Sequence, residues 1–120
     1  MFLHEETIYK VRGLNEREIL LAKAFIKGAV YCWLKNRENE PFSLRDLFGG
    51  TNAVWTGTPL EDLWWKHSNE GKSDEEAFDQ AAQDAGWLLK AVLAEDTKRI
   101  FDKKKNGQVN SYSWVRNNTD

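Results

Sequence analysis

Three consecutive lysines, Lys103, Lys104 and Lys105, precede the dipeptide Asn106-Gly107 in the stretch FDKKKNGQVNSYSW, and two aromatics, Tyr112 and Trp114, follow it. Ammonium groups at this density attract anions, phosphate above all, to which Lys presents a compact point charge. Lys98, Arg99 and Arg116 extend the same charge, so that residues 97–120 hold 6 Lys/Arg against 2 Asp/Glu. Residues 59–96 have the opposite balance, 3 against 10, and residues 1–58 are near neutral at 8 against 7. The net charge of −2 thus conceals a basic end beside an acidic middle. Such a chain binds polyanions locally, although the same pattern also describes two differently solvated faces.

The other reactive side chains point to no chemistry of their own. His67 falls on the apolar side of a helical pattern, with the second histidine far away at position 4. It reads as a hydrogen-bonded, half-buried residue rather than a ligand or general base. Cys32, the single cysteine, cannot form an internal disulfide, and its apolar helical background marks a buried, inert thiol. The glycine-rich stretch GGTNAVWTGT, residues 49–58, lacks the lysine and adjacent Ser/Thr of a phosphate loop and the strand before it. It reads as a chain-crossing loop anchored by Trp55, or as an adaptable partner-binding loop. With no recognisable triad, carboxylate pair or metal-ligand spacing, a non-enzymatic chain without cofactor or metal is expected.

The elements that position these residues have well-marked starts. Asn15 is followed three residues on by Glu18, Ser43 by Asp46, Thr58 by Glu61 and Ser73 by Glu76, each a side-chain cap with a carboxylate reaching back. Pro59 suits the first position of the third helix. These signals predict helices over Glu16 to about Arg37, Ser43 to Phe48, Thr58 to about Ser68 and Ser73 to about Glu95. The first is apolar over more than one face, so it packs on two sides, or on one side and a partner subunit. Leu60, Leu63, Trp64 and His67 face inward from the third, and Phe78, Ala81, Ala82, Ala85, Leu88, Leu89, Val92 and Leu93 from the fourth. Trp64 and Trp65 point to opposite sides, leaving one partly exposed. Thr7 to Val11 reads as a short strand closed by Gly13.

Asn-Gly between two alternating runs is a hairpin signal, because a tight turn of this kind needs positive φ. A two-residue loop at Asn106-Gly107 pairs Lys105 with Gln108, Lys103 with Asn110, Phe101 with Tyr112 and Arg99 with Trp114. Phe101, Tyr112 and Trp114 then share the face that packs on the helices, and the basic tip projects into solvent.

A helical body followed by a two-stranded ribbon with a basic tip resembles a winged helix, whose wing lies along a phosphate backbone. Within Phe78 to Glu95, Ala82, Gly86 and Val92 fall at the spacing of a helix-turn-helix unit, with Gly86 marking a turn or a close helix contact. Together the two resemblances cover 47 residues, Ser73 to Thr119. The chain departs from the family where a reading helix carries polar side chains: Leu88, Leu89 and Ala91 stand there, with Lys90 alone polar. A second assignment makes Pro41-Phe42 a short strand and Ser43 to Phe48 the next helix, but the long loop from Gly49 to Gly57 is unlike the tight turn of that motif.

The expectation is one domain over residues 1–120, α+β and mostly helical, with four helices (one short), a C-terminal β-hairpin, a winged-helix-like build and a disordered polar tail at 117–120. Lys23 and Lys27 interrupt the longest apolar run, against a membrane span, and MFLHEETIYK does not resemble a secretory signal. A reducing cytoplasm fits one cysteine. Functionally the residues suggest a small nucleic-acid-binding or regulatory protein, with double-stranded DNA as one candidate partner and Lys103, Lys104 and Lys105 on phosphate, aided by Lys98, Arg99 and Arg116. The alternative is an adaptor, inhibitor or homodimer that uses Trp55, Trp65, Glu61 and Asp62 as a protein interface.

Overall fold

The computed structural model describes residues 3, 8–37, 40–49, 54–107 and 109–117, the C-terminal hairpin without the side chains of Asn106, Arg116 and Asn117. The chain runs α1 (Glu16–Asn36), α2 (Leu44–Phe48), α3 (Glu61–Ser68), α4 (Asp74–Ala94), β1 (Arg99–Asn106) and β2 (Val109–Asn117). This is the expected mostly helical α+β order with a C-terminal antiparallel hairpin. Among the described residues no helix is long and apolar enough to cross a membrane.

Three of the four helix starts form as the caps dictate. Asn15 and Glu18 close a reciprocal capping box on α1, Ser43 and Asp46 another on α2, and the Ser73 hydroxyl accepts from the Glu76 amide at 3.2 Å. The third start differs. Thr58 Oγ1 accepts from the amide of Leu60 at 3.2 Å and from no amide further on, so residues 58–60 make a turn and α3 begins at Glu61 without a side-chain cap. Its hydroxyl also donates to the Trp55 carbonyl at 2.8 Å, a bond that ties it backward to the loop. Residues 8–12 form no strand, and the predicted start of that strand, Thr7, lies outside the described residues.

Burial follows helical period. Ala22, Ile26, Val30 and Leu34 line the buried side of α1, and Leu63 and His67 that of α3. In α4, Ala81, Ala85, Leu88, Leu89, Val92 and Leu93 are buried as expected, with Phe78 and Ala82 partly so. On the other side of α1, Leu20 and Leu21 are 60% and 47% exposed, and Cys32, expected to be buried, is exposed as well.

The hairpin register is two residues from the sequence expectation. Phe101 pairs with Trp114, Lys103 with Tyr112, Lys105 with Asn110 and Asn106 with Val109, so the turn follows Asn106, and Gly107 supplies its positive φ of 64°. A register irregularity at Ile100/Phe101 then sets Arg99 opposite Asn117, which belongs to β2 rather than to a disordered tail. The rest of that predicted tail, 118–120, lies outside the described residues. The cause of the shifted register is tertiary. Phe42 and Tyr112 exchange both backbone hydrogen bonds, at 2.9 and 2.7 Å, and the Phe42 ring also packs on Phe101, so one buried residue meets both β2 and β1. A shift of two preserves side-chain parity, so Phe101, Tyr112 and Trp114 still share one face. Phe101 is buried against Phe42, edge to face at 6.3 Å. Replacing Phe101 with Ala should therefore cost about 3–5 kcal/mol in denaturant unfolding; an unchanged midpoint would contradict this packing.

Candidate nucleic-acid interface

The ribbon separates the predicted cations into two groups. Lys104 and Lys105 are exposed at its tip and Lys103 is partly covered. Lys98 is exposed at its base, while Arg99 is held in structure: its guanidinium lies 4.8 Å from the Tyr31 ring and 5.3 Å from the Trp114 ring, and Nη1 donates to Asp96 at 3.4 Å. The Arg99 backbone amide also donates to Asp96, as does that of Lys98. At ~3.4 Å per residue the base stands roughly 20 Å from the tip, so Lys98 and Arg99 do not join the three lysines in one cluster. The Arg116 side chain lies outside the described residues.

Between the ribbon and the helical body is an open cleft of about 460 Å3. α4 contributes Phe78, Gln83, Gly86, Trp87 and Lys90, β2 contributes Asn110 and Tyr112, and the α2 side contributes Arg45. Trp55 closes one wall. It is 8% exposed, donates from Nε1 to the Phe48 carbonyl at 3.2 Å and packs on Phe78 at 5.1 Å. Trp55 is thus held as the loop anchor that one of the two sequence readings expects. Lys103 and Lys105, opposite Tyr112 and Asn110 in the ladder, continue the cleft-bearing side of the ribbon toward solvent.

α4 itself does not have the surface of a reading helix. Leu88, Leu89, Lys90, Ala91, Val92 and Leu93 are all buried. The helix runs unbroken from Asp74 to Ala94, so the spacing of Ala82, Gly86 and Val92 does not form a helix-turn-helix. Residues 85–94 are mostly Ala, Leu and Val, and they continue the buried stripe through Gly86 without a pause.

A second polar cluster joins α3 to α4. Asp84 Oδ2 accepts from Lys66 Nζ at 2.6 Å and from His67 Nε2 at 2.7 Å, and Lys72 Nζ donates to His67 Nδ1 at 2.9 Å and to Gln80 Oε1 at 2.6 Å. Both ring nitrogens of the buried His67 are therefore engaged, the outcome its place in the sequence predicts. An imidazole whose acceptor nitrogen is held by an ammonium has no lone pair left for a substrate proton.

The acidic middle forms an exposed surface. Asp74, Glu75, Glu76 and Asp79 are exposed on the first turns of α4, where they also complement the helix dipole. Glu61 and Asp62 sit in the first turn of α3, and Trp65, 48% exposed, stacks edge to face on Trp64 at 4.8 Å. Burial, then the charges of Glu18 and Glu61, push the Asp62 carboxyl above its ordinary 3.8.

Sequence reasoning missed the cleft because segments far apart in the chain, α2, the Trp55 loop, α4 and β2, build it together. The one available signal was Gly86, unfavourable in mid-helix and unexplained by any turn. Comparison with family models, with curated proteins and with solved structures returns no match to this chain.

The raised Asp62 carboxyl has a pH signature. The folded state holds this proton more tightly than the unfolded chain, so stability contributed by the protonated form is present at low pH and is lost as pH rises through the folded value. The Tm of Asp62→Asn relative to the unaltered protein should accordingly increase between pH 3 and pH 7. A constant difference across paired thermal scans would contradict the assignment.

Proposed function

We propose that this chain is a small, winged-helix-like nucleic-acid-binding protein with a regulatory role, whose ribbon tip contacts phosphates. The observation that carries the reading is the tip itself: two exposed lysines and a third half-covered one, next to a glycine turn, at the end of a ribbon whose other end is fixed in the core. Lysines and backbone amides on phosphate set position without reading bases. Because the second half of α4 is core, the contact with a duplex is electrostatic and tolerant of sequence. The element order supports the same reading, since Phe42, between α1 and α2, adds a third extended segment beside β2.

A second reading rests on α1. Leu20 and Leu21 are 60% and 47% exposed, and Ala24 and Gly28 are exposed on the same side of the helix, with Phe25, 36% exposed, stacked on Phe48 at its margin. A homodimer closed through this side would bury them. Trp65 and the acidic starts of α3 and α4 offer a separate face to a basic protein.

Two measurements test these readings. Replacing Lys104 and Lys105 with Glu should weaken binding of a labelled 20-base-pair duplex by ~10-fold or more at low salt. The slope of log K against log salt should flatten by ~0.9 for each phosphate that the variant no longer neutralises. Duplex binding that survives unchanged would remove the tip from the interface. For the second reading, light scattering should give a dimer mass for the unaltered protein and a monomer for Leu21→Glu; a monomer in both cases refutes it.

A further inference from the structure

Gly86 stands in the middle of α4, and neither usual reason for a helical glycine applies to it. The helix continues through it without a break, and among the described residues a Cβ built there would meet no atom within 4 Å. Glycine is the least favourable helix-interior residue after proline, so stability is forgone here with no gain in packing. What Gly86 borders is the cleft. A missing side chain on a cavity wall lets a ligand approach the helix backbone closely.

The lining defines the ligand. Trp55, Phe78, Trp87 and Tyr112 are among the lining residues, and an aromatic lining suits a flat molecule with π faces. Gln83 and Asn110 reach it from α4 and from β2, and each carboxamide offers both a donor and an acceptor to the heteroatom edge of such a ring. Arg45 on the α2 side brings a cation to the lining, to which Asp79 and the buried Lys90 also belong. Its volume of about 460 Å3 lies in the range of small-molecule sites, about 300–1,000 Å3. On the ribbon wall the lining residues Asn110 and Tyr112 stand opposite Lys105 and Lys103.

We infer that the cleft between α4, α2 and the ribbon holds the base of an unpaired nucleotide, stacked on its aromatic lining beside Gly86, with the phosphate toward Arg45 and the ribbon lysines. The inference deepens the nucleic-acid reading and rests on it for the source of the base. An unpaired strand end and a free nucleotide share this chemistry, and the experiment separates them.

Anisotropy is measured for a blunt 20-base-pair duplex and for the same duplex carrying a three-nucleotide unpaired extension, and tryptophan fluorescence is followed on titration with thymidine and adenosine monophosphates. The unaltered protein should bind the extended duplex at least ~10-fold more tightly than the blunt one, and Gly86→Leu, whose side chain enters the cleft, should abolish that gain. Both Gly86→Leu and Gly86→Ala should raise Tm, because each restores a better helix former in open space. Gly86→Ala, with a smaller intrusion, repeats the test if Leu disturbs the fold. Quenching by a mononucleotide that Gly86→Leu removes, without any preference for the extension, assigns the site to free nucleotides. No preference and no quenching, or a preference that survives both substitutions, overturns the inference. Blunt-duplex binding by the Lys104/Lys105 variant tests the ribbon separately, so failure of one reading is not mistaken for failure of the other.

Discussion

The backbone of Phe42 and Tyr112 is joined by two hydrogen bonds, 2.9 Å in one direction and 2.7 Å in the other, and the position of the ribbon follows from them. A two-stranded hairpin has little stability alone in water. Here it gains a third extended segment and an aromatic cluster: Phe42 is fully buried, 6.1 Å from Tyr112, 6.3 Å from Phe101 and 6.1 Å from Trp33 on α1. The next residue, Ser43, begins the capping box of α2. One point therefore sets the end of the α1 connection, the start of α2 and the register of the hairpin. The lysine tip is placed by a core contact, not by its own turn.

The α3–α4 pair is organised by charge as well as by apolar packing. Asp84 accepts from both Lys66 and His67, and Lys66 Nζ also donates to the Arg12 carbonyl at 2.7 Å. Removing one member of such a covered cluster leaves the others unpaired, which is costly in a way that its net contribution to stability is not. The alkyl chain of Lys66 lies against Gly13, where a Cβ would come within 2.6 Å of Cδ and where φ is +86°. Glycine is required there on both counts. The segment before α1 is thereby laid across α3, and Val11 joins the core.

Local signals were the most legible part of the chain. Caps at Asn15, Ser43 and Ser73 act within four residues, and the buried stripes of α1, α3 and α4 repeat at the helical period, so neither depends on knowing the tertiary contacts. Thr58 misled because its hydroxyl had a competing partner at Trp55. The Asn-Gly dipeptide misled by two residues where Phe42, distant in sequence, packs on Phe101 of β1 and bridges Tyr112 of β2. Face assignment survived that error through parity alone. Arg99 resembled the tip lysines by charge, yet Asp96, Tyr31 and Trp114 claim it, a difference set by neighbours that only folding assembles. The cleft was illegible for the same reason.

If the ribbon binds nucleic acid as proposed, the charge distribution narrows the kind it would accommodate. Asp79 lines the cleft together with Asn110 of the ribbon, so the acidic start of α4 begins close to the basic strand. At physiological salt the Debye length is about 8 Å, which screens distant charge but not the Asp79 carboxylate in the lining of the same cleft. A duplex bends only over a persistence length of about 50 nm, and a stiff rod seated on the tip lysines and pressed toward the cleft brings its second strand toward Asp74, Glu75, Glu76 and Asp79. An unpaired strand turns within a few bonds. It can leave its phosphate by the lysines and Arg45, place its base among the rings and direct the rest of the chain away from the carboxylates. On the proposed reading, charge and shape thus favour the same ligand, one with a short unpaired segment, and the acidic helix start acts to exclude continuous duplex from the α4 side.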